Sequence, residues 1–243
     1  MISSLSNEKI KLVRSLKEKK YRDRYSLFVV EGVKSVHEAS QKAQILFVVV
    51  TQESIDKVPE NTEVLLVTDK VFASVTGETT PQGMLAVVKK PDEKDFSGFC
   101  GKGLLLDRVR DPGNLGTIIR TAVATGFTNI FLIDTVDPYS PKVVRASMGG
   151  VFSVNFYFVK PSDVKNLNIS VLCADMDGQN IFEFIPPKSY LLAIGNEGGG
   201  LSDEIINLST STVCLPMEKG VESLNAGVSA GVLMYLLRYG KND

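Results

Sequence analysis

Three segments of this chain place polar side chains in turns that adjoin apolar stretches. They cover residues 107–126, 191–201 and 215–225 and read DRVRDPGNLGTIIRTAVATG, LLAIGNEGGGL and LPMEKGVESLN. Each combines an apolar run with a turn that contains glycine or asparagine. Three such segments in one chain suggest that their turns assemble into a single site.

The first segment predicts a helix with one arginine off its apolar face. Apolar side chains recur at helical spacing at Leu115, Ile118, Ile119, Ala122 and Val123. Asn114 is placed as an N-cap residue, and Gly126 as the residue that ends the helix. Arg120 lies about 140° around the helix from Leu115, at ~100° per residue. It is either a solvated arginine or a guanidinium that faces a cleft and holds phosphate.

The second segment is a glycine-rich turn after an apolar strand, and it contains Glu197. Such a turn can bind a nucleotide, but its spacing is neither that of the GxGxxG fingerprint nor that of a P-loop. A tight structural turn is a fair alternative. Glu197 is harder to explain structurally, because a carboxylate beside backbone amides can bind a cation or a polar ligand group.

The third segment precedes an apolar helix that ends near Arg238. Ser223 or Asn225 could simply cap this helix. Gly227 and Gly231 lie inside it, where each glycine costs about 1 kcal/mol relative to alanine. They predict close packing on a neighbouring element or on a second subunit.

Composition excludes several kinds of protein. The single histidine, His37, disfavours Ser-His hydrolases and His-ligated metal enzymes, so we expect no metal. Three widely spaced cysteines argue against a disulfide framework and fit a reducing cytoplasm. No apolar run approaches the ~20 residues of a membrane span, and the N-terminus is not a secretory signal.

The pattern of elements predicts two α/β domains. We expect a helix over 6–20, strands over 27–31, 45–51, 63–68 and 84–89, and helices over 33–42 and 70–74 in the first domain, residues 1–93. Residues 94–101 form a polar linker with glycine. In the second domain, 102–243, strands over 103–107, 129–134, 170–174, 190–195 and 212–216 alternate with helices. This alternation predicts a parallel sheet covered on both faces.

The motifs resemble the SpoU/TrmH family of RNA ribose 2′-O-methyltransferases. They are N-x5-R from Asn114 to Arg120, GNEGGG from Gly195 to Gly200, and LPM followed by SLN, in this order. The resemblance implies a SPOUT catalytic domain with a C-terminal trefoil knot, S-adenosylmethionine as cofactor and a homodimer. The first domain is similar to the small substrate-binding domain of many members, through 28–32 and 79–84.

The resemblance also implies roles for individual residues. The catalytic set is Arg120, Asn114, Glu197, Ser223 and Asn225. The cofactor set is Gly195, Leu215, Leu224, Ile194, Met217 and Asn225. Arginine is a poor base because it stays protonated in proteins. We therefore interpret Arg120 as a ligand for the phosphate beside the target ribose.

The expected partner is RNA, since the reaction requires a 2′-hydroxyl. The net charge of −1 does not by itself indicate a nucleic-acid-binding protein, but the first 24 residues are rich in lysine and arginine. Candidate RNA contacts are Lys11, Arg14, Arg22, Arg24, Lys142 and Arg145. Ribosomal RNA is the expected target. Transfer RNA, or a non-catalytic RNA-binding factor with the same fold, are the alternatives.

Overall fold

The computed structural model describes residues 1–220 and 223–240 and divides the chain into two compact units. The first unit comprises Met1–Asp92 and Asp137–Phe152, and the second comprises Glu93–Val136 and Ser153–Asp243. Residues Asp137–Phe152 fall within the second predicted domain by sequence, yet they cluster with the first unit.

The elements alternate along the chain as the sequence predicts. The first part contains α1 (Glu8–Ser15), α2 (Lys19–Tyr25), β1 (Leu27–Glu31), α3 (Val33–Lys42), β2 (Ile45–Val50), a 3-10 helix (Gln52–Lys57), β3 (Val64–Leu66), α4 (Asp69–Val75) and β4 (Met84–Lys89). The part of the chain from residue 102 onward contains β5 (Lys102–Asp107), α5 (Pro112–Thr125), β6 (Asn129–Ile133), α6 (Pro141–Ala146), a 3-10 helix (Gly150–Phe152), β7 (Asn155–Phe158), α7 (Pro161–Asn166), β8 (Ser170–Asn180), β9 (Tyr190–Ile194), α8 (Asp203–Ile206), β10 (Ser211–Cys214) and α9 (Ala226–Tyr239).

The first unit is built on a four-stranded sheet in the order β1-β4-β2-β3. Strand β4 is antiparallel to β1 and β2, and β2 is parallel to β3. Val48, Val49 and Val50 are fully buried, as the continuous apolar run in β2 predicts. Burial of these β-branched side chains between the covering helices stabilises the unit.

The predicted helix over 6–20 is wrong as a single element, because it breaks between Ser15 and Lys19. Asn7 begins α1, since its side chain accepts from the N–H groups of Lys9 and Ile10. At the break, the guanidinium of Arg22 donates to the carbonyl oxygens of Leu16 and Lys17, both at 2.8 Å. Arg22 thus satisfies carbonyls that a helix end leaves without partners.

Arg22 is buried, which corrects its prediction as an RNA contact. It is only 3% exposed, and its Nε and Nη2 donate to Asp137 Oδ2 at 2.8 and 2.6 Å. Asp137 is buried as well and also accepts from the N–H of Tyr139. The guanidinium is committed to this pair and to the helix break, so it cannot reach a phosphate.

The second unit is built on a six-stranded sheet in the order β10-β8-β9-β5-β6-β7. Every pairing in it is parallel, which confirms the predicted parallel sheet. Its central strands are almost fully buried, as two covered faces require. Strand β7 was not predicted, because its short NFYF sequence lies at the sheet edge without a long apolar run.

Helices α5 and α9 pack against each other within this unit. A Cβ on Gly227 would lie 3.3 Å from the Thr117 side chain, and one on Gly231 would lie 3.6 Å from Thr121. The predicted close packing is therefore confirmed at Gly227, whereas a Cβ at Gly231 would make only ordinary contact with α5. No helix within residues 1–220 and 223–240 is long and apolar enough to cross a membrane.

Candidate active site

The turns after β5, β9 and β10 meet at one edge of the parallel sheet. The carboxyl ends of parallel strands share an edge, and such edges are where ligands bind in open α/β sheets. The turn after β5 leads into α5, the turn after β9 contains Glu197, and the segment after β10 leads to the start of α9. The three sequence segments therefore come together as predicted.

Asp111 begins α5, which corrects the interpretation of Asn114 as its N-cap. The Asp111 carboxylate accepts from the Asn114 N–H at 2.8 Å, and Pro112 follows at the first helical position. Asn114 instead lies within the first turn, and its side chain is buried. Its side-chain amide does not cap the helix and instead forms hydrogen bonds with other segments of the site. Gly126 ends the helix in a left-handed conformation, as predicted.

The carboxylate of Glu197 is held by donors from the first segment. Asn114 Nδ2 donates to it at 2.9 Å, and the N–H groups of Asp111 and Arg110 donate at 3.3 and 3.5 Å. Partial desolvation opposes ionisation, but these hydrogen bonds outweigh it and hold the pKa of Glu197 below its usual value. Glu197 is therefore a carboxylate that accepts hydrogen bonds rather than a proton donor at neutral pH.

Hydrogen bonds continue from Glu197 to the start of α9. Asn114 Oδ1 accepts from Asn225 Nδ2 at 2.8 Å. Asn225 Oδ1 accepts from the N–H groups of Gly227 and Val228 at 3.0 and 3.2 Å, so Asn225 is the N-cap of α9. Each amide has one orientation, because Glu197 accepts only and the helix end donates only. We call Glu197, Asn114 and Asn225 the amide relay.

Asn196 organises the glycine turn and was missed by sequence reasoning. Its Nδ2 donates to the carbonyl of Arg108 at 2.9 Å, and its Oδ1 accepts from Gly198 and Gly199 at 2.9 and 3.0 Å. At Gly195, any side chain would bring its Cβ into the backbone of Gly200 and Leu201. The turn is therefore tight because of glycine and Asn196 together. Asparagine before several glycines is the sequence signal for such a turn.

A cavity of about 330 Å³ opens beside these turns. Five of the predicted cofactor residues line it, namely Ile194, Gly195, Leu215, Met217 and Leu224. Ser223 and Glu197 line it as well. Sequence reasoning missed the contribution of β8, which supplies Ala174, Asp175 and Met176. These three lie within β8, at and just beyond the end of the strand predicted over 170–174, where no motif marked them as site residues.

The remaining predicted residues are more dispersed. Arg120 is exposed on α5, six residues or about 1.7 turns beyond the relay residue Asn114, and does not line the cavity. Lys11, Arg14, Arg24 and Lys142 are exposed in the first unit. Arg145 is exposed but forms an ion pair with Glu78. Among the described residues, no cluster of histidine, cysteine, aspartate or glutamate could hold a metal ion.

Comparisons with known proteins match both parts of the chain. The model of the SpoU rRNA Methylase family matches residues 102–235, and that of the MRM3-like substrate binding domain matches residues 7–86. The 23S rRNA (guanosine(2553)-2′-O)-methyltransferase RlmP of Bacillus subtilis is 32% identical, over 98% of this chain and 98% of the relative.

Solved structures agree over nearly the whole chain. An RNA methyltransferase of the TrmH family from Porphyromonas gingivalis has a TM-score of 0.86 and 35% identity, covering 97% of this chain and 98% of that chain. The AdoMet-bound rRNA methyltransferase from Sinorhizobium meliloti has a TM-score of 0.87 and 29% identity, covering 100% of this chain and 98% of that chain.

The matches and the cavity define an RNA methyltransferase with a separate substrate-binding domain. This chain belongs to the SpoU rRNA methylase family. The predicted family is thereby confirmed, and with it the class of an RNA 2′-O-ribose methyltransferase that uses S-adenosylmethionine.

Proposed function

We propose that this protein methylates a ribose 2′-hydroxyl in ribosomal RNA, with S-adenosylmethionine bound in the 330 Å³ cavity. The observation that carries the proposal is the amide relay, which joins the three motif segments and whose Glu197 lines that cavity. A relative that matches both domains acts on 23S ribosomal RNA, and this supports the same class of target here.

The residues of the cavity suit the cofactor. Its volume lies within the range of small-molecule sites, about 300–1,000 Å³. Its apolar lining from Ile194, Leu215 and Met217 suits the adenosine, and its two carboxylates, Asp175 and Glu197, suit a positively charged molecule. When bound, the cofactor supplies a sulfonium methyl group for transfer to oxygen. Backbone groups of the glycine turn and of Leu215, Met217 and Leu224 would hold it.

The polar residues around the cavity take positioning roles in this proposal. Asn114, Glu197 and Asn225 fix the turn after β5 to the start of α9 and so shape the entrance for the ribose. Ser223 lies at the same entrance and offers a hydroxyl. Methyl transfer is an in-line displacement, so correct placement of the hydroxyl supplies much of the rate. Displacement of any one of these loops would therefore lower the rate of methyl transfer.

Arg120 is proposed to bind the phosphate next to the target ribose. It is exposed, and its planar guanidinium can form two hydrogen bonds to one phosphate. The ion pair would stabilise the alkoxide that forms as the hydroxyl loses its proton. Lys11, Arg14, Arg24 and Lys142 are proposed to bind other phosphates.

The proposed roles of the two domains follow the two family models. Residues 1–93 bind RNA, 94–101 connect, and 102–243 transfer the methyl group, which the matches at 7–86 and 102–235 support. We place the protein in the cytoplasm, and its three free cysteines support a reducing compartment.

Ribose methylation mapped in total RNA from cells with and without the protein tests the target. A lost site in transfer RNA alone would contradict the ribosomal proposal.

The proposed homodimer uses the exposed side of α9. Val228, Val232, Tyr235 and Tyr239 are each at least 41% exposed and recur at helical spacing. Val228, Val232 and Tyr235 border an apolar groove of about 420 Å³ with Thr117 and Thr121 of α5. A second copy would cover this stripe. Val232→Lys should yield monomers in sedimentation, whereas Val64→Lys, an equally exposed valine in β3, should not. A dimeric Val232→Lys protein would contradict the proposal.

The trefoil knot is proposed for the segment that leads to α9. The resemblance implies it, and the packing of α9 on α5 after a distant edge strand, β10, supports it. An experimental structure traced through residues 195–226 tests the knot. A chain that reaches α9 without passing through the loop after β9 would contradict it.

A further inference from the structure

The charge inside the cofactor cavity is carried by two carboxylates. Among the described residues that line the cavity, Asp175 and Glu197 are the charged ones, and neither lysine nor arginine joins them. The remaining lining is apolar, glycine, or neutral polar. A cavity of this kind favours a ligand with positive charge and offers no counter-charge to a net anion.

The two carboxylates differ in what already occupies them. Glu197 accepts from Asn114 and from two backbone N–H groups, so its oxygens are committed to the amide relay. Asp175 follows the buried part of β8, is exposed, and accepts from the N–H of Asp177 at 3.3 Å. Its carboxylate therefore retains acceptor capacity, since a carboxylate offers about four acceptor sites.

The donor and the product of this reaction differ in charge at one atom. S-adenosylmethionine carries a sulfonium, an ammonium and a carboxylate, with a net charge of about +1 at neutral pH. Transfer of the methyl group to the ribose oxygen leaves a neutral thioether, and the hydroxyl proton passes to solvent. S-adenosylhomocysteine keeps the ammonium and the carboxylate, so its net charge is zero. A residue that interacts with the sulfonium alone would therefore bind the donor more tightly than the product.

We propose that Asp175 is a specificity residue that favours the cationic methyl donor over the neutral product. The inference rests on the proposed function, because it assumes that this cavity binds the donor. The carboxylate attracts the sulfonium through charge, and that attraction disappears when the methyl group leaves. Asp175 thereby weakens the hold on the product and promotes exchange for fresh donor.

Calorimetric binding of donor and product to Asp175→Asn tests the proposal. The dissociation constant for S-adenosylmethionine should rise about 3- to 10-fold, the size of one screened charge contact. That for S-adenosylhomocysteine should change less than about 2-fold. The wild-type preference for the donor should also shrink as salt increases, because exposed charges are screened.

Two further variants separate charge from structure. Asp177→Asn removes an equal charge two residues away that does not line the cavity, so the donor preference should persist. Asp175→Glu keeps the charge and should keep the preference. Equal weakening of both ligands by Asp175→Asn would overturn the inference, because the carboxylate would then bind a group that both share. An unchanged preference would overturn it too. If the wild-type protein binds neither ligand, the proposed function itself fails.

Discussion

Arg22 with Asp137 in the first unit and the amide relay in the second are both polar clusters, but they use their polar atoms differently. The ion pair is buried, and every described donor of Arg22 ends on Asp137 or on a helix carbonyl. In the relay, Asn114 is buried while Glu197 and Asn225 are exposed beside a cavity. We therefore expect changes in the closed cluster to affect stability, and changes in the open one to affect activity.

The largest effect is expected from breaking the ion pair. Arg22→Ala leaves Asp137 buried without its partner and frees two carbonyls at the helix break, so unfolding should become easier by about 3–5 kcal/mol. Denaturant unfolding measures this. The double variant Arg22→Met with Asp137→Leu should recover part of the loss. A single variant within about 0.5 kcal/mol of wild type would show that the pair is not structural.

The next largest effect is expected at Arg120, on activity alone. Arg120→Lys should lower the rate of methyl transfer by about 10²-fold, because a point charge does not reproduce the planar fork of the guanidinium. Its thermal unfolding should match wild type, since the side chain is exposed. Arg238→Lys changes another exposed arginine, one with no proposed RNA contact, and should stay active as the control. Normal turnover by Arg120→Lys would refute the phosphate role.

Asn225 and Asn7 allow a matched comparison of two helix caps. Each accepts two N–H groups at the start of its helix, Asn7 on α1 and Asn225 on α9. Replacement of either by alanine should cost about 1 kcal/mol of stability. Only Asn225→Ala also removes a donor to Asn114, so only it should slow methyl transfer. Equal activity of both variants, measured with saturating donor, would mean that the relay does not position the site.

The smallest effect concerns pH and Glu197. Because the folded-state pKa of Glu197 is lowered, the unfolded chain binds its proton more readily as pH falls. Its contribution to stability is therefore present above the unfolded value near 4.5 and is lost as pH falls through the folded pKa. Glu197→Gln should flatten the acid side of the stability profile slightly. Identical profiles between pH 3 and 6, roughly the carboxylate range, would contradict the hydrogen-bonding pattern.

The meeting of the three segments could be predicted from sequence because each lies in a turn with its own local signals, whereas the roles of single residues were implied by the family resemblance. Glycines and asparagines after apolar strands marked Gly195, Glu197 and Asn225, and the helical period placed Arg120 off the apolar face. Asn114 lies beside Glu197 and Asn225, but the N-cap role expected of it belongs to Asp111. Both residues are good caps, and only the backbone decides between them.

The features that sequence reasoning missed depend on contacts between distant segments. Arg22 reads as one more basic residue in a basic segment, and its partner Asp137 lies 115 positions along the chain. Asp175 reads as an ordinary end of a strand, and only the sheet order brings β8 beside β9 and the cavity. The clustering of Asp137–Phe152 with the first unit is of the same kind. No local pattern encodes such pairings.

The most direct test is transfer of a labelled methyl group from S-adenosylmethionine to ribosomal RNA taken from cells that lack the protein. The purified protein should methylate a 2′-hydroxyl at a defined nucleotide, and the Arg120→Lys variant should leave that nucleotide almost unmodified while still binding the donor. Binding of the donor without methylation of any RNA would contradict the account and favour a non-catalytic RNA-binding protein.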